Sequence, residues 1–88
     1  MQISSRFTIA IHMLTCMENF KNEYKITSDF LASSINVNPV IIRRILSQLK
    51  EKGLIQVKRG TGGAAVVKPL EEITFLDVYQ AVECIEEN

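Results

Sequence analysis

The sequence predicts a mainly α-helical domain that carries one small β-hairpin. Apolar residues recur at three- and four-residue steps in four stretches, which is typical of amphipathic helices. A short alternating stretch and a glycine-rich turn follow the third of these stretches and indicate a hairpin. A length of 88 residues leaves room for a single domain. This order of elements is that of a winged helix-turn-helix, with a three-helix core, a two-stranded wing and a fourth helix.

The first helix is predicted over residues 4–20. Ser4 or Ser5 can cap its start. The residues expected to share its buried face are Phe7, Ala10, Ile11, Leu14 and Met17. Cys16 lies beside this face and is predicted to be a small core residue, whereas His12 is predicted to be a surface or half-buried structural residue.

The second helix is predicted over residues 28–35, and either Thr27 or Ser28 can cap it. Asp29 lies in its first turn, where the helix dipole favours a carboxylate. Residues 36–38 form the turn that joins this helix to the next, because asparagine tolerates left-handed backbone angles.

The third helix is predicted over residues 39–52, with Asn38 as its cap and Pro39 at its first position. Its buried stripe is expected to consist of Ile42, Ile45, Leu46 and Leu49. Gly53 follows the last turn and is a suitable left-handed stop.

The wing is predicted over residues 54–68. Its first strand would be half-buried, because Leu54, Gln56 and Lys58 alternate with Ile55 and Val57. A glycine-rich turn over residues 59–63 and a return strand over residues 64–68 would complete it.

The fourth helix is predicted over residues 74–86, and Thr74 with Asp77 resembles a capping box at its start. Its apolar face is expected to consist of Phe75, Val78, Tyr79, Val82 and Ile85.

Charge is segregated along a chain whose net charge is zero. All ten lysines and arginines lie at or before Lys68, and the last twenty residues contain six acids and no base. From Arg43 to Arg59 there are six bases and one acid. This distribution favours a polyanionic partner, although an ordinary solvated surface explains the charges alone equally well.

The exposed residues of the third helix are the candidates for reading DNA bases. They are Asn38, Pro39, Val40, Ile41, Arg43 and Arg44, and Ser47 is a further predicted DNA contact on this helix. Arginine pairs with guanine and apolar side chains contact thymine methyl groups, so this composition suits a major groove. Phosphate contacts are predicted for Ser28, Lys50, Lys52 and Lys58. The competing interpretation is a three-helix core with arginines at its surface.

The wing turn is the second candidate DNA contact. Its predicted contacts are Arg59, Gly60, Thr61 and Gly62. The glycines permit close approach to a phosphate backbone, and Arg59 could enter a narrow minor groove. The turn does not match a nucleotide-binding loop, because no Gly-Lys-Ser/Thr follows and it leads into a strand.

Four segments in order resemble the Rrf2 family of bacterial winged-helix regulators. They are MQISSRFTIAIHML, VNPVIIRRILSQLKEKGLI, RGTGGA and PLEEITFLDVYQAVE. The resemblance implies a homodimer that binds a palindromic operator in double-stranded DNA, most simply as a repressor. Family members usually continue into a long helix that crosses to the partner subunit, so this dimerisation helix is expected to be missing or incomplete here.

The chain departs from the family pattern at three places. Many members have an aromatic-Leu-Glu sequence where this chain has Ile41, Ile42 and Arg43, and a tyrosine where it has Ala64. The operator is therefore expected to differ. Cluster-binding members have three cysteines after the fourth helix, which Cys16 and Cys84 do not match. The resemblance therefore predicts no iron–sulfur cluster and no cofactor within these 88 residues.

Other function classes are less favoured by the sequence. No nucleophile–base pair, metal-ligand set or paired carboxylates emerge, so an enzyme is not expected. Cys16 and Cys84 leave a redox-sensing role open. No apolar run is long enough to span a membrane, and the predicted location is cytoplasmic. The alternative function is a winged-helix protein–protein interaction module without specific DNA binding.

Overall fold

The computed structural model describes residues 5–58 and 63–83. Within them it contains four α-helices, a two-stranded antiparallel sheet and one short 3-10 turn, which confirms the predicted fold class. The helices are α1 (Ser5–Phe20), α2 (Ser28–Ile35), α3 (Pro39–Lys52) and α4 (Phe75–Val82). The strands are β1 (Ile55–Lys58) and β2 (Gly63–Val66), and the 3-10 turn covers Leu70–Glu72.

Local caps fix the angle between α2 and α3. The Thr27 hydroxyl accepts a hydrogen bond from the Phe30 N–H at 3.0 Å, which identifies Thr27 rather than Ser28 as the cap of α2. Asn36 ends α2 in the left-handed conformation, with φ of 64°. Asn38 Oδ1 then accepts from the Val40 N–H at 2.7 Å, and α3 begins at once. The helix-turn-helix therefore follows from side chains within a few residues of each turn.

The end of α3 and the start of α4 also form as predicted. Gly53 ends α3 with φ of 86° and donates its N–H to the last carbonyls of the helix. At the start of α4 the Thr74 N–H donates to Asp77 Oδ2 and the Asp77 N–H donates to the Thr74 hydroxyl, each at 3.0 Å. The backbone hydrogen bond from Thr74 is the main reason why the pKa of Asp77 lies below its usual value.

The wing is attached to the segment that precedes α2. The Ala64 N–H donates to the Ile26 carbonyl at 2.8 Å, and Ile26 forms an isolated parallel bridge with Gly63. Gly63 has φ of 71°, and a Cβ atom placed on it would lie 2.7 Å from the Ile26 carbonyl oxygen. Only glycine permits this approach, so the base of the wing depends on Gly63.

The strand boundaries correct the predicted wing in two respects. Gly63 was predicted to be part of the turn but is the first residue of β2, opposite Lys58. The return strand ends at Val66 rather than at residue 68. The alternation placed Val57 on the same face as Ile55, yet Ile55 is buried whereas Val57, one residue from the end of β1, is 46% exposed.

One hydrophobic core joins all four helices and the base of the wing. Leu31, Ile42, Ile45, Leu49 and Val82 are completely buried there. Met13 is also completely buried, although the helical pattern did not single it out, and Ile11 is only partly buried. Phe75 was predicted to be buried but is 73% exposed, because it is the first residue of α4 and meets the body of the domain only at its edge. Its ring packs against that of Phe7, with centroids 6.0 Å apart.

Some predictions concern residues outside the described ranges. Helix α4 is described as far as Val82, and the predicted continuation to residue 86, with Cys84 and Ile85, lies beyond the described part. The same holds for Ser4 and for the wing turn over residues 59–62. No helix among the described residues is both long and apolar enough to cross a membrane.

Candidate nucleic-acid interface

Helix α3 has one face in the core and the other in solvent. Ile42, Ile45 and Leu49 are fully buried, and they fix the rotation of the helix. The opposite face exposes Arg43, Arg44, Ser47 and Lys50, together with Val40 and Ile41, which are 59% and 43% exposed. Exposed arginines can bind base edges and phosphates, and exposed β-branched apolar residues can contact thymine methyl groups. The composition of this face therefore suits DNA.

A groove runs along one side of α3, between it, the start of α2 and the wing. We call it the wing-side groove, and its volume is about 500 Å³. Four basic side chains line it, Lys25, Arg43, Lys50 and Lys58, and none of the described residues that line it is acidic. Two separate elements, α3 and β1, and the loop before α2 thus supply cations to a single concave surface, which suits a polyanion.

Hydroxyl groups and a helix start complete the wing-side groove. Thr27, Ser28 and Ser47 are part of its lining. Ser28 is the half-buried first residue of α2. The start of this helix, where the first backbone N–H groups have no partner within the helix, therefore lies at the groove. Helix N-termini favour anions, and this geometry makes Ser28 a suitable phosphate contact.

A second groove lies on the other side of α3, between it and the start of α1. We call it the α1-side groove, and its volume is about 430 Å³. Its lining consists of Ser5, Arg6, Ile9, Val40, Ile41 and Arg44. Successive helical residues point about 100° apart. The adjacent arginines Arg43 and Arg44 therefore serve different grooves, which their sequence position alone does not reveal.

The remaining predicted contacts have diverse environments. Asn38 and Pro39 are exposed at the start of α3, but the Asn38 side-chain oxygen is already engaged in capping. The Lys52 ammonium donates to Gln80 Oε1 at 3.2 Å and lines neither groove, so it faces α4 rather than the wing. Lys58 is exposed at the end of β1. Arg59, Gly60, Thr61 and Gly62 lie outside the described residues.

Cys16 and His12 belong to no candidate metal site among the described residues. Cys16 is free and partly buried, and this burial raises the pKa of its thiol, which lowers its reactivity. His12 is exposed on α1. In the described residues no group of three or more His, Cys, Asp and Glu side chains could hold a metal ion. Cys84 lies outside the described part of the chain.

Sequence reasoning overlooked Arg6. In the sequence Arg6 is a single basic residue on a helix that was assigned to the core, and this gives little indication of a DNA contact. The structure brings it to the α1-side groove with Arg44, a residue 38 positions further along the chain.

Comparisons with known proteins agree with this architecture. Residues 3–87 match the model of the Rrf2 family, described as "Iron-dependent Transcriptional regulator". The chain is 38% identical over 85 residues to YwnA of Bacillus subtilis strain 168, a candidate HTH-type transcriptional regulator. That alignment covers 97% of this chain and 62% of YwnA, and the chain covers 54% of two further HTH-type regulators.

Solved structures with the same fold are also found. A crystal structure of a candidate DNA-binding protein is 34% identical, with a TM-score of 0.80, over 96% of this chain and 70% of that one. The global cysteine regulator CymR of B. subtilis gives a TM-score of 0.84 at 20% identity, over 94% of this chain and 65% of CymR. At that identity the likeness concerns the fold alone.

Cys16 and His12 both lie on α1 but belong to no set of metal ligands in the described residues. The match over nearly the whole chain and the identity to HTH-type regulators are sufficient for classification, and the matched family and relatives are described as transcriptional regulators rather than enzymes. This chain belongs to the Rrf2 family of transcriptional regulators.

Proposed function

We propose that this chain is the DNA-binding part of a cytoplasmic, sequence-specific transcriptional regulator. The observation that carries the proposal is the exposed face of α3 between two basic grooves. A helix with its side chains is about 10–12 Å wide, and the major groove is about 12 Å wide. Helix α3 can therefore enter the groove while the wing lies beside it.

The exposed residues of α3 divide into two kinds of contact. Arg43 and Arg44 present guanidinium groups that can bind guanine or phosphate, and Val40 and Ile41 can contact thymine methyl groups. Ser47 can donate to either a base or a phosphate. Ser28, Lys50 and Lys58 are proposed as phosphate contacts around the wing-side groove. At the wing turn, Arg59, Gly60, Thr61 and Gly62 remain proposed contacts to the duplex.

Homodimerisation, a palindromic operator and repression are further parts of this proposal. Membership of the family supports all three. The dimer is also supported by an apolar surface on α4, where Phe75 and Leu76 are 73% and 61% exposed. Two copies related by a two-fold axis would present two α3 helices to two half-sites. No cofactor is proposed within these 88 residues.

The test is a titration of the chain with the duplex that lies upstream of its own gene, against a scrambled duplex, across a series of salt concentrations. The expected result is tighter binding to the native duplex, with an affinity that falls steeply as salt rises. The double variant Arg43→Ala/Arg44→Ala should lose at least tenfold in affinity and most of the preference for the native duplex. Equal, salt-insensitive binding of both duplexes would contradict the proposal.

A matched control separates DNA contact from general loss of charge. Lys21 is exposed, pairs with Glu18 at 3.2 Å and lines neither groove. Lys21→Ala is therefore expected to leave the affinity within about twofold of the unmodified chain, because exposed ion pairs contribute little.

A protein-interaction module is the second candidate function. The observation that favours it is the exposed pair Val40 and Ile41 at the start of α3, together with Val57 on the wing. In that case the grooves would accept a protein segment, and DNA association would be weak and similar for both duplexes. The same titration distinguishes the two functions.

A further inference from the structure

The α1-side groove is basic without any contribution from the wing. Two of its six lining residues, Arg6 and Arg44, are arginines, and none of the described residues that line it is acidic. Its apolar lining residues are Ile9, Val40 and Ile41. The groove is continuous with the exposed face of α3, because Val40, Ile41 and Arg44 belong to both.

The two grooves flank α3 on opposite sides, as the two walls of a DNA major groove flank a helix inside it. Each wall consists of the phosphates of one strand. On the wing side, the cations that line the groove are Lys25, Arg43, Lys50 and Lys58. On the opposite side the corresponding cations are Arg6 and Arg44. If α3 lies in the major groove, the start of α1 therefore faces the other strand.

The environment of Arg6 leaves its guanidinium able to bind an anion. Arg6 Nη2 lies 3.9 Å from Glu83 Oε1, at the outer limit of an ion pair, and the Arg6 side chain is 36% exposed. The Arg6 Nε–H is buried and has no hydrogen-bond partner among the described residues. An arginine has five N–H donors, so one loose carboxylate contact leaves donors for a phosphate.

Glu83 orients Arg6 and offsets part of its charge. The Glu83 side chain is only 14% exposed, so the pair lies against the body of the domain and not free in solvent. With Arg44 included, the groove still has a net positive charge. A phosphate is thus the chemically matched occupant, and a planar guanidinium can bind it with two parallel hydrogen bonds.

We propose that Arg6 binds a backbone phosphate of the DNA strand opposite the wing, so that α1 takes part in DNA recognition as well as in the core. This inference rests on the proposed function, since it requires α3 to occupy the major groove. Arg6 positions the domain and reads no base. Its contribution should accordingly be the same for native and scrambled duplexes.

The experiment compares the unmodified chain with Arg6→Gln, Arg6→Lys and the control Lys21→Ala. The slope of log affinity against log salt is measured for each on both duplexes. Glutamine keeps much of the side-chain stem but removes the charge, so one phosphate contact is lost. We expect the slope of Arg6→Gln to become less negative by about 0.9, and the affinity at low salt to fall about 3- to 10-fold on both duplexes.

The control variants make the result specific to charge at this position. Arg6→Lys should retain the salt slope to within about 0.3 of the unmodified value, since a lysine also neutralises one phosphate. Lys21→Ala should change neither slope nor affinity. Thermal melting of each variant without DNA shows how much of any affinity loss comes from instability.

The failures of the two proposals are distinguishable. If the unmodified chain shows no salt-dependent DNA binding, the proposed function fails, and the role of Arg6 fails with it. If the unmodified chain binds with a steep slope that Arg6→Gln leaves unchanged, only the role of Arg6 is overturned. A lower affinity with an unchanged slope and a lower melting temperature would overturn it too, because that result indicates a structural role.

Discussion

The surface around α3 and the surface around α4 differ in chemistry although both helices pack on the same core. Around α3 the exposed side chains are mainly basic and polar, and two grooves flank the helix. At the start of α4 the exposed side chains are Phe75 and Leu76. Six acidic residues follow Lys68 in the sequence, some before and some after these two residues. The difference indicates that the surface around α3 suits a polyanion and the start of α4 suits a protein surface.

The largest expected effect is the loss of stability on substitution of a residue on the buried face of α3, compared with one on its exposed face. Ile45 is fully buried, and Ile45→Ala should lower the free energy of unfolding by about 2–5 kcal/mol. Ile41, four residues earlier on the same helix, is 43% exposed, so Ile41→Ala should cost less than about 1 kcal/mol. Urea denaturation measures both. Similar losses for the two variants would contradict the orientation of α3.

The second prediction concerns the joint between the wing and the segment before α2. Gly63→Ala would place a Cβ atom 2.7 Å from the Ile26 carbonyl oxygen, so the hairpin must shift. A destabilisation of about 2–4 kcal/mol is expected, from the clash and from the positive φ angle together.

Gly53 provides the matched control for this prediction. It also has a positive φ, of 86°, but a Cβ atom there would meet nothing within 4 Å. Gly53→Ala should therefore cost only the backbone strain, about 1 kcal/mol. Thermal denaturation compares the pair, and equal losses would show that contact with Ile26 is unimportant.

A third, smaller effect concerns the capping box of α4. Thr74→Ala removes the hydroxyl that accepts from the Asp77 N–H and should cost about 1 kcal/mol. Because the pKa of Asp77 is lowered from 3.8 in the folded chain, its carboxylate stabilises the fold above that value. That stabilisation is lost as pH falls through the lowered pKa.

The pH dependence can be measured with Asp77→Asn. Between about pH 5 and pH 2 the unmodified chain should lose more stability than the variant, since only the unmodified chain has this carboxylate to protonate. Parallel stability curves across that range would mean that the hydrogen bond from Thr74 has no influence on the titration.

The smallest effect on folding is expected at the exposed end of α4. Leu76→Ser removes a side chain that is 61% exposed, so the stability of the domain should change by less than about 0.5 kcal/mol. Self-association, measured by analytical ultracentrifugation, should weaken if this surface meets a second copy. Ser47→Ala on α3 is the comparison variant, since it should leave association unchanged and weaken DNA binding instead.

The sequence predicted those parts of the fold that depend on neighbouring residues. The caps Asn38, Gly53 and Thr74 were identified because each acts on a backbone group within four residues. The buried residues Ile42, Ile45 and Leu49 were identified because the helical repeat places them on one face. These features need no knowledge of the tertiary structure.

The parts that were missed depend on residues distant in sequence. Contact between Gly63 and Ile26 joins β2 to the segment before α2, 37 positions away in sequence, and no local pattern indicates it. The exposure of Phe75 follows from where α4 begins relative to α1. Arg6 reaches the candidate site only because the start of α1 lies across the α1-side groove from the start of α3.

Recognition of DNA by α3, between its two basic grooves, can be tested in one titration series. The affinity of the chain is measured for its own upstream duplex and for a scrambled duplex across a range of salt concentrations. We expect tighter binding to the native duplex, a steeply negative salt slope on both, and loss of the preference in Arg43→Ala/Arg44→Ala. Equal binding to both duplexes, unaffected by salt and by these substitutions, would contradict it.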